Sequence, residues 1–168
     1  METAAQVSVD EYLSTSYQPD VDYVDGLLEE RNVGEVPHGK CQLSLGSYLH
    51  ARRKQFGITV SVETRVQVRP VRFRCPDVCV VVGQMDDRII RQPPFLCVEI
   101  LSPDDRVQEL QRKIDDYLEF GVRSVWVIDP DSRRAWMYSG EGVVEVKDGF
   151  LRTQGPDIAV PLAELFED

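Results

Sequence analysis

The run Phe95-Leu96-Cys97-Val98-Glu99-Ile100-Leu101-Ser102-Pro103 decides how this chain is read. Apolar except for one carboxylate, it predicts a strand from about 95 to 101, central in a sheet covered on both faces. Ser102-Pro103 ends the strand, and a helix is predicted from about Asp104 to Phe120, stopped by Gly121. Val107, Leu110, Ile114, Tyr117 and Leu118 form its apolar stripe. At about 100° per residue, Lys113 falls on one flank of that stripe with Arg106 and Glu109, at the boundary of the core. Ser124-Val125-Trp126-Val127-Ile128-Asp129 is a further buried strand. Upstream, Arg74-Cys75-Pro76-Asp77-Val78-Cys79-Val80-Val81-Val82 predicts a second central strand over about 75 to 82, and it too carries a lone carboxylate. A charge inside an apolar run is costly to bury without a partner. Two of them on neighbouring strands in register can converge on one cation.

Working toward the N-terminus, Ser8-Val9-Asp10-Glu11 is a capping box that starts a short helix running to about Leu13. Tyr23-Val24-Asp25-Gly26-Leu27-Leu28 reads as a tight hairpin, with Asp-Gly at the turn. Pro37 opens a helix to about Gln55, with Gly57 as its stop. From Ile58 to Arg69 the alternation predicts one half-buried strand, with Ile58, Val60, Val62, Val66 and Val68 on one face. Toward the C-terminus, Ala135–Ser139, Val143–Val146 and Phe150–Thr153 read as a short meander, and Pro161 opens a last helix. No repeat or linker divides the chain, so one domain over residues 1–168 is expected.

With 168 residues, 42% of them hydrophobic and 29% charged, the chain can bury a real core. No apolar run approaches the roughly 18 residues of a membrane span. Met1-Glu2-Thr3-Ala4-Ala5-Gln6 lacks the basic start and apolar centre of a secretory signal, so a cytoplasmic location and no membrane partner are expected. Cys41, Cys75, Cys79 and Cys97 lie in segments that read as buried, which favours reduced core thiols. A zinc site at Cys75, Cys79 and Cys97 is disfavoured because a second tight Cys pair is missing. The net charge of −10 argues against a polyanionic partner. Residues 40 to 74, however, hold eight basic residues (Lys40, Arg52, Arg53, Lys54, Arg65, Arg69, Arg72, Arg74) against Glu63 alone, a local +7 that leaves −17 elsewhere. This asymmetry suggests a basic face, although arginines that guard strand edges explain it equally well.

A hard divalent ion suits the two carboxylates: Mg²⁺ takes one or two of them and keeps water and phosphate oxygens as its other ligands. Such an ion activates phosphodiesters toward water, and Lys113 could orient the nucleophile or neutralise charge at phosphorus. At these residues the chain resembles the Uma-type restriction endonuclease family, within the PD-(D/E)XK nuclease superfamily. The resemblance is carried in order by Tyr23-Val24-Asp25-Gly26, His38, Pro76-Asp77, Glu99-Ile100-Leu101-Ser102-Pro103, Lys113, Tyr117, Gly121-Val122 and Trp126-Val127-Ile128-Asp129. It implies an α/β, restriction-endonuclease-like fold: a central mixed sheet flanked by helices, here with the C-terminal β-meander. It further implies a Mg²⁺- or Mn²⁺-dependent nuclease site, a nucleic-acid substrate, DNA before RNA, and homodimers. Residue by residue, Asp77 and Glu99 match the metal ligands. The motif's lysine position is Leu101 here, and Uma-type chains with that gap carry the lysine on the following helix, where this chain has Lys113. Glu29 or Glu30 and His38 match accessory positions, the first holding metal through water, the second contacting phosphate or assisting proton transfer.

Plainer readings stand beside each of these. Asp77 can be a strand-start residue bonded to turn amides, and Glu99 one half of a structural ion pair with Lys113 or an arginine. Glu29 can be a hairpin charge, His38 a helix-start residue, Glu63 on the polar strand face a solvated charge or a further member of the site, and Arg106 with Glu109 a surface pair or a support for Lys113. Trp126 and Trp136 read as packing residues. The function expected is endonucleolytic hydrolysis of phosphodiesters. The alternatives are a catalytically inactive binding or assembly module on the same scaffold and a hydrolase of small phosphate esters.

Overall fold

The structure, a computed structural model, describes residues 5–166, so part of the Met1–Gln6 stretch and both ends of the 1–168 span lie outside the described residues. Ser8 caps α1 (Val9–Ser14), its hydroxyl accepting from the Glu11 amide at 3.1 Å as the capping box requires. β1 (Val21–Val24) and β2 (Leu27–Glu30) form the hairpin. At its turn Asp25 and Gly26 take φ of 52° and 96°, the left-handed values a two-residue turn needs. α2 (Val36–Ala51) begins with Pro37 in its first turn. The helix expected to reach Gln55 breaks at Arg52, whose φ and ψ of −102° and 6° interrupt it. A single turn, α3 (Arg53–Phe56), follows before left-handed Gly57 ends it.

The stretch from Ile58 to Arg69 departs most from expectation. It makes two strands, β3 (Ile58–Val62) and β4 (Val66–Arg69), and they belong to different sheets. Between them Glu63 sits at φ 50°, a left-handed conformation that breaks the pleat and re-aims the chain. The apolar alternation runs through this break unchanged, which is why periodicity alone suggests one strand. β5 (Arg72–Arg74) returns beside β4, completing an antiparallel sheet of order β2-β1-β5-β4. Cys75-Pro76-Asp77 then carries the chain to the second sheet. The strand expected over 75 to 82 is therefore shorter, β6 (Val78–Val82), and Asp77 stands immediately before it.

The second sheet is completed by β7 (Leu96–Ile100), β8 (Ser124–Asp129), β9 (Arg134–Ser139) and β10 (Gly142–Glu145), in the order β10-β9-β8-β7-β6-β3. It is mixed: β7 and β8 run parallel, joined by α4 (Val107–Phe120), and the remaining neighbours are antiparallel. α4 starts at Val107 because the preceding residues form a turn, so Val107 projects beyond the core and is 81% exposed instead of lying in the buried stripe. The meander continues from β8 through β10, but β11 (Phe150–Arg152) leaves it to pair with β12 (Ala159–Pro161). Pro161 thus ends a strand, and α5 (Ala163–Phe166) follows it.

Alternation along the central strands assigns the two faces of the six-stranded sheet. Val80, Leu96, Val98, Trp126 and Ile128 pack against Leu45 and Leu49 of α2 and against Leu151, Val160 and Leu165 from the C-terminal elements. Cys79, Cys97, Val125 and Val127 pack beneath Ile114 and Tyr117 of α4 and against Val66 and Val68 of β4. β7 is buried along its whole length, as a strand covered on both faces should be. Its one carboxylate, Glu99, lies on the α4 side with Cys97. No helix among the described residues is long and apolar enough to cross a membrane.

All four cysteines are free and buried. Cys79 and Cys97 face each other across β6 and β7, whereas Cys75 lies beside the Tyr12 hydroxyl in the α1 and β1 cluster, so the three are not gathered for zinc. Burial first, and the nearby Asp77 carboxylate second, push the Cys41 thiol up to about 12. Burial likewise raises Cys75 and Cys97. Because the thiolate is the reactive species, the native protein should give no reaction with a disulfide reagent at pH 8, while denaturant should release all four thiols. Absorbance of the liberated chromophore in native and denatured samples measures this directly.

Candidate active site

The register of β6 and β7 sets Val78 opposite Val98, and one step further it brings Asp77 opposite Glu99 where the two strands end. Both side chains are held. Asp77 Oδ2 accepts the Ile100 amide at 2.7 Å, tying the residue before β6 to β7. Asp77 Oδ1 accepts Arg31 Nη2 at 2.9 Å and has His38 Nε2 at 3.4 Å. Glu99 Oε1 accepts the Tyr117 hydroxyl at 2.6 Å, and its Oε2 lies 3.9 Å from Lys113 Nζ. Lys113 and Tyr117 are one helical turn apart on α4, which lies over this face of the sheet. Lys113 Nζ is also 3.8 Å from Asp22 Oδ2 of β1. Asp77, Glu99 and Lys113 therefore come together, joined by Asp22 and Arg31.

The electrostatics follow from burial. Asp77 is 3% exposed and Glu99 5%. Burial pushes Glu99 up to about 7; the Lys113 ammonium pulls against that shift, and the Asp77 charge reinforces it. The same Glu99 charge raises Lys113 above its ordinary value despite burial, so its amine stays an ammonium. Burial works against the Arg31 guanidinium, but Asp77, Glu99 and Asp22 outweigh it and the net shift is upward. The hydrogen bond to Asp77 raises His38.

Beneath the site lies a buried ionic network. Arg74, 2% exposed, donates from Nε to Asp116 Oδ2 at 2.8 Å and from Nη1 to Asp22 Oδ2 at 3.1 Å and Glu29 Oε2 at 2.9 Å. Asp22 Oδ1 accepts the Cys75 amide at 3.0 Å, and Asp116 also accepts from Arg72 at 2.8 Å. Within the basic stretch four arginines are matched locally: Arg72 and Arg74 pair with Asp116, Arg69 pairs with Glu119 at the surface, and Arg65 lies over the Tyr12 ring near Asp20.

Two clefts open on the site. A wide one of about 980 Å³ is lined by Asp77, His38, Gln42, Glu63, Arg65 and Arg88. A narrow one of about 240 Å³ is lined by Glu99, Lys113, Asp22 and both Glu29 and Glu30. Arg31 and Asn32 line both. Of the accessory candidates, His38 reaches Asp77, whereas Glu29 is bonded to Arg74. Arg106 and Glu109 pair with each other at 4.0 Å on the surface. Leu101, at the motif's lysine position, is half-buried against the apolar cluster that includes Ile114 and Tyr117 of α4.

A family model described as "Putative restriction endonuclease", Uma2, matches residues 9–163. The chain belongs to the Uma2 family. The Uma2 match spans every residue of the site, from Asp22 to Tyr117. A solved structure described as a "putative nuclease belonging to DUF820" from Anabaena variabilis superposes with a TM-score of 0.80 at 20% identity, covering 95% of this chain and 97% of that one. That likeness is one of fold, and it agrees with the mixed sheet flanked by helices. No curated protein matches the chain. Sequence reasoning about this Uma2 chain missed Asp22, Arg31, Arg74 and Asp116. Asp22 carried a usable signal, since it interrupts Val21 and Tyr23 in the same way that Glu99 interrupts its own strand. The other three are recognisable only once β1, β5 and α4 are brought together.

Proposed function

We propose that this Uma2 protein is a nuclease that hydrolyses phosphodiesters within nucleic acid, DNA before RNA, using Mg²⁺ or Mn²⁺ held by Asp77 and Glu99. The observation that carries the reading is two buried carboxylates set opposite each other by strand register, with the Lys113 ammonium 3.9 Å from one of them and each carboxylate lining a cleft. The donor set fits such an ion. Its oxygens are hard, and the burial and like charge that push Glu99 up to about 7 are what a cation would relieve. Among the described residues no group of three or more His, Cys, Asp or Glu side chains is placed to hold a metal ion, so the protein would supply two carboxylates and leave the other positions to water and phosphate. When bound, the ion supplies a Lewis acid that polarises the phosphodiester and lowers the pKa of water.

The chain's own residues do the rest. The Ile100 amide and the Tyr117 hydroxyl fix the two carboxylates in place, so that neither must reorganise during reaction. Lys113, kept charged by Glu99, presents an ammonium that can orient the attacking water or offset negative charge at the phosphate. His38, Arg65 and Arg88 line the wide cleft, the route along which a phosphate backbone would reach Asp77.

Incubation with supercoiled plasmid at low salt tests the reading. Nicked and linear products should form with Mg²⁺ or Mn²⁺, and be absent with EDTA or in Asp77→Ala. Cleavage surviving that substitution would remove this site from the mechanism. Duplex retained without cleavage would identify the inactive binding module, and turnover of nucleotide monophosphates alone would identify a small-ester hydrolase.

A further inference from the structure

Each oxygen of Asp77 already has a donor. Oδ2 accepts the Ile100 amide at 2.7 Å, a backbone contact that strand pairing holds in place. Oδ1 accepts the Arg31 guanidinium at 2.9 Å, with His38 Nε2 at 3.4 Å on the same atom. Arg31 is on neither carboxylate's strand. It belongs to the segment between β2 and α2, and the next residue, Asn32, donates to Asp105 Oδ1 at 2.7 Å on the far side of the site. Asp105 is itself anchored, accepting the Ser102 amide at 2.7 Å. Residues 31 and 32 therefore form a strap tied at Asp77 and at Asp105, and it runs between the wide and narrow clefts that it lines on both sides. Asp77 opens to one cleft, Glu99 and Lys113 to the other.

We propose that Arg31 is a built-in competitor for the cation position at Asp77: a divalent ion and this guanidinium bind the same carboxylate oxygen in turn. The inference rests on Asp77 and Glu99 being the metal ligands. A guanidinium is a strong competitor because it is permanently charged, weakly hydrated and shaped to fork onto carboxylates. It is also displaceable, since this contact is to one oxygen from one nitrogen of a long side chain. Release of Arg31 from Asp77 removes one of the strap's two ties and lets the two clefts open toward each other.

The test is Mn²⁺ binding alone, without nucleic acid, followed by loss of the free-ion electron paramagnetic resonance signal. Arg31→Gln should bind Mn²⁺ at least about tenfold more tightly than the wild type, the scale of one lost charge-assisted contact. Adding Asp77→Asn to that variant should abolish the gain. Arg31→Lys, with a more strongly hydrated point charge, should fall between the two and serves if Arg31→Gln folds poorly by circular dichroism. Equal or weaker binding in both Arg31 variants beside a wild type that binds Mn²⁺ overturns the competitor and leaves the two-carboxylate metal reading intact. Absence of Mn²⁺ binding in the wild type and in both variants overturns the two together.

Discussion

Arg74→Met should be the most destabilising single substitution in the site region, lowering the unfolding free energy by about 3 to 5 kcal/mol, as removal of one partner from a buried ion pair typically does. The methionine fills most of the volume, so the loss is electrostatic. Arg74 is the shared cation of Asp22 at 1% exposure and Asp116 at 5%. Without it Asp22 keeps the Cys75 amide and a Lys113 ammonium 3.8 Å away, and Asp116 keeps Arg72. Neither set neutralises the buried charge as the direct Arg74 contacts do. Urea unfolding of wild type and variant measures the difference. Arg69 and Glu119 provide the scale: they pair at 47% and 62% side-chain exposure, where solvent screens most of the interaction and about 1 kcal/mol or less is at stake. A loss below about 1 kcal/mol in Arg74→Met would mean that water reaches the network far more freely than its burial indicates.

The Arg74 network links fold and site. Asp22, held by Arg74 and the Cys75 amide, lies 3.8 Å from the Lys113 ammonium and Glu99 lies 3.9 Å from it, so the lysine is shared by two acids supplied by two different sheets. A motif lysine on the strand itself would be aimed by the pleat. Lys113 comes from a helix and is aimed by these charges instead, which gives the smaller sheet a part in the candidate chemistry as well as in stability.

The same distinction explains what the amino-acid order makes legible. Asp77 and Glu99 stand out because strands buried on both faces tolerate so few charges, and pairing in register is the simplest way to place both. Lys113 follows from helical geometry. The division of 58–69 between two sheets leaves no trace in hydropathy, because a left-handed Glu63 changes the direction of the chain without changing which residues are apolar. Arg31 and Arg74 look like ordinary surface basics, one at a hairpin end and one in an arginine-rich stretch. Their acids lie 42 to 52 positions away in sequence. Burial of a charge is readable locally only when its neighbours are apolar, and the partner that makes burial tolerable is a property of the tertiary structure.

Glu99→Gln should separate activity from stability. Cleavage in Mg²⁺ should fall by on the order of 10³-fold or more, because a neutral amide is a weak ligand for a hard divalent ion and removes half of the protein's carboxylate donors. Stability should stay within about 1 kcal/mol of the wild type or rise above it, since a buried charge beside Asp77 is replaced by a neutral group of the same shape. The amide oxygen can keep the Tyr117 hydroxyl bond. Lys113, 21% exposed in its side chain, is not stranded, because Asp22 lies 3.8 Å from its ammonium. Thermal unfolding and plasmid cleavage on the same preparation read both quantities. If Glu99 were instead a structural ion-pair residue, the variant would lose stability and keep whatever activity the protein has. The opposite pattern, a site that is inactive but no less stable, is the behaviour of a carboxylate whose cost to the fold is retained for function.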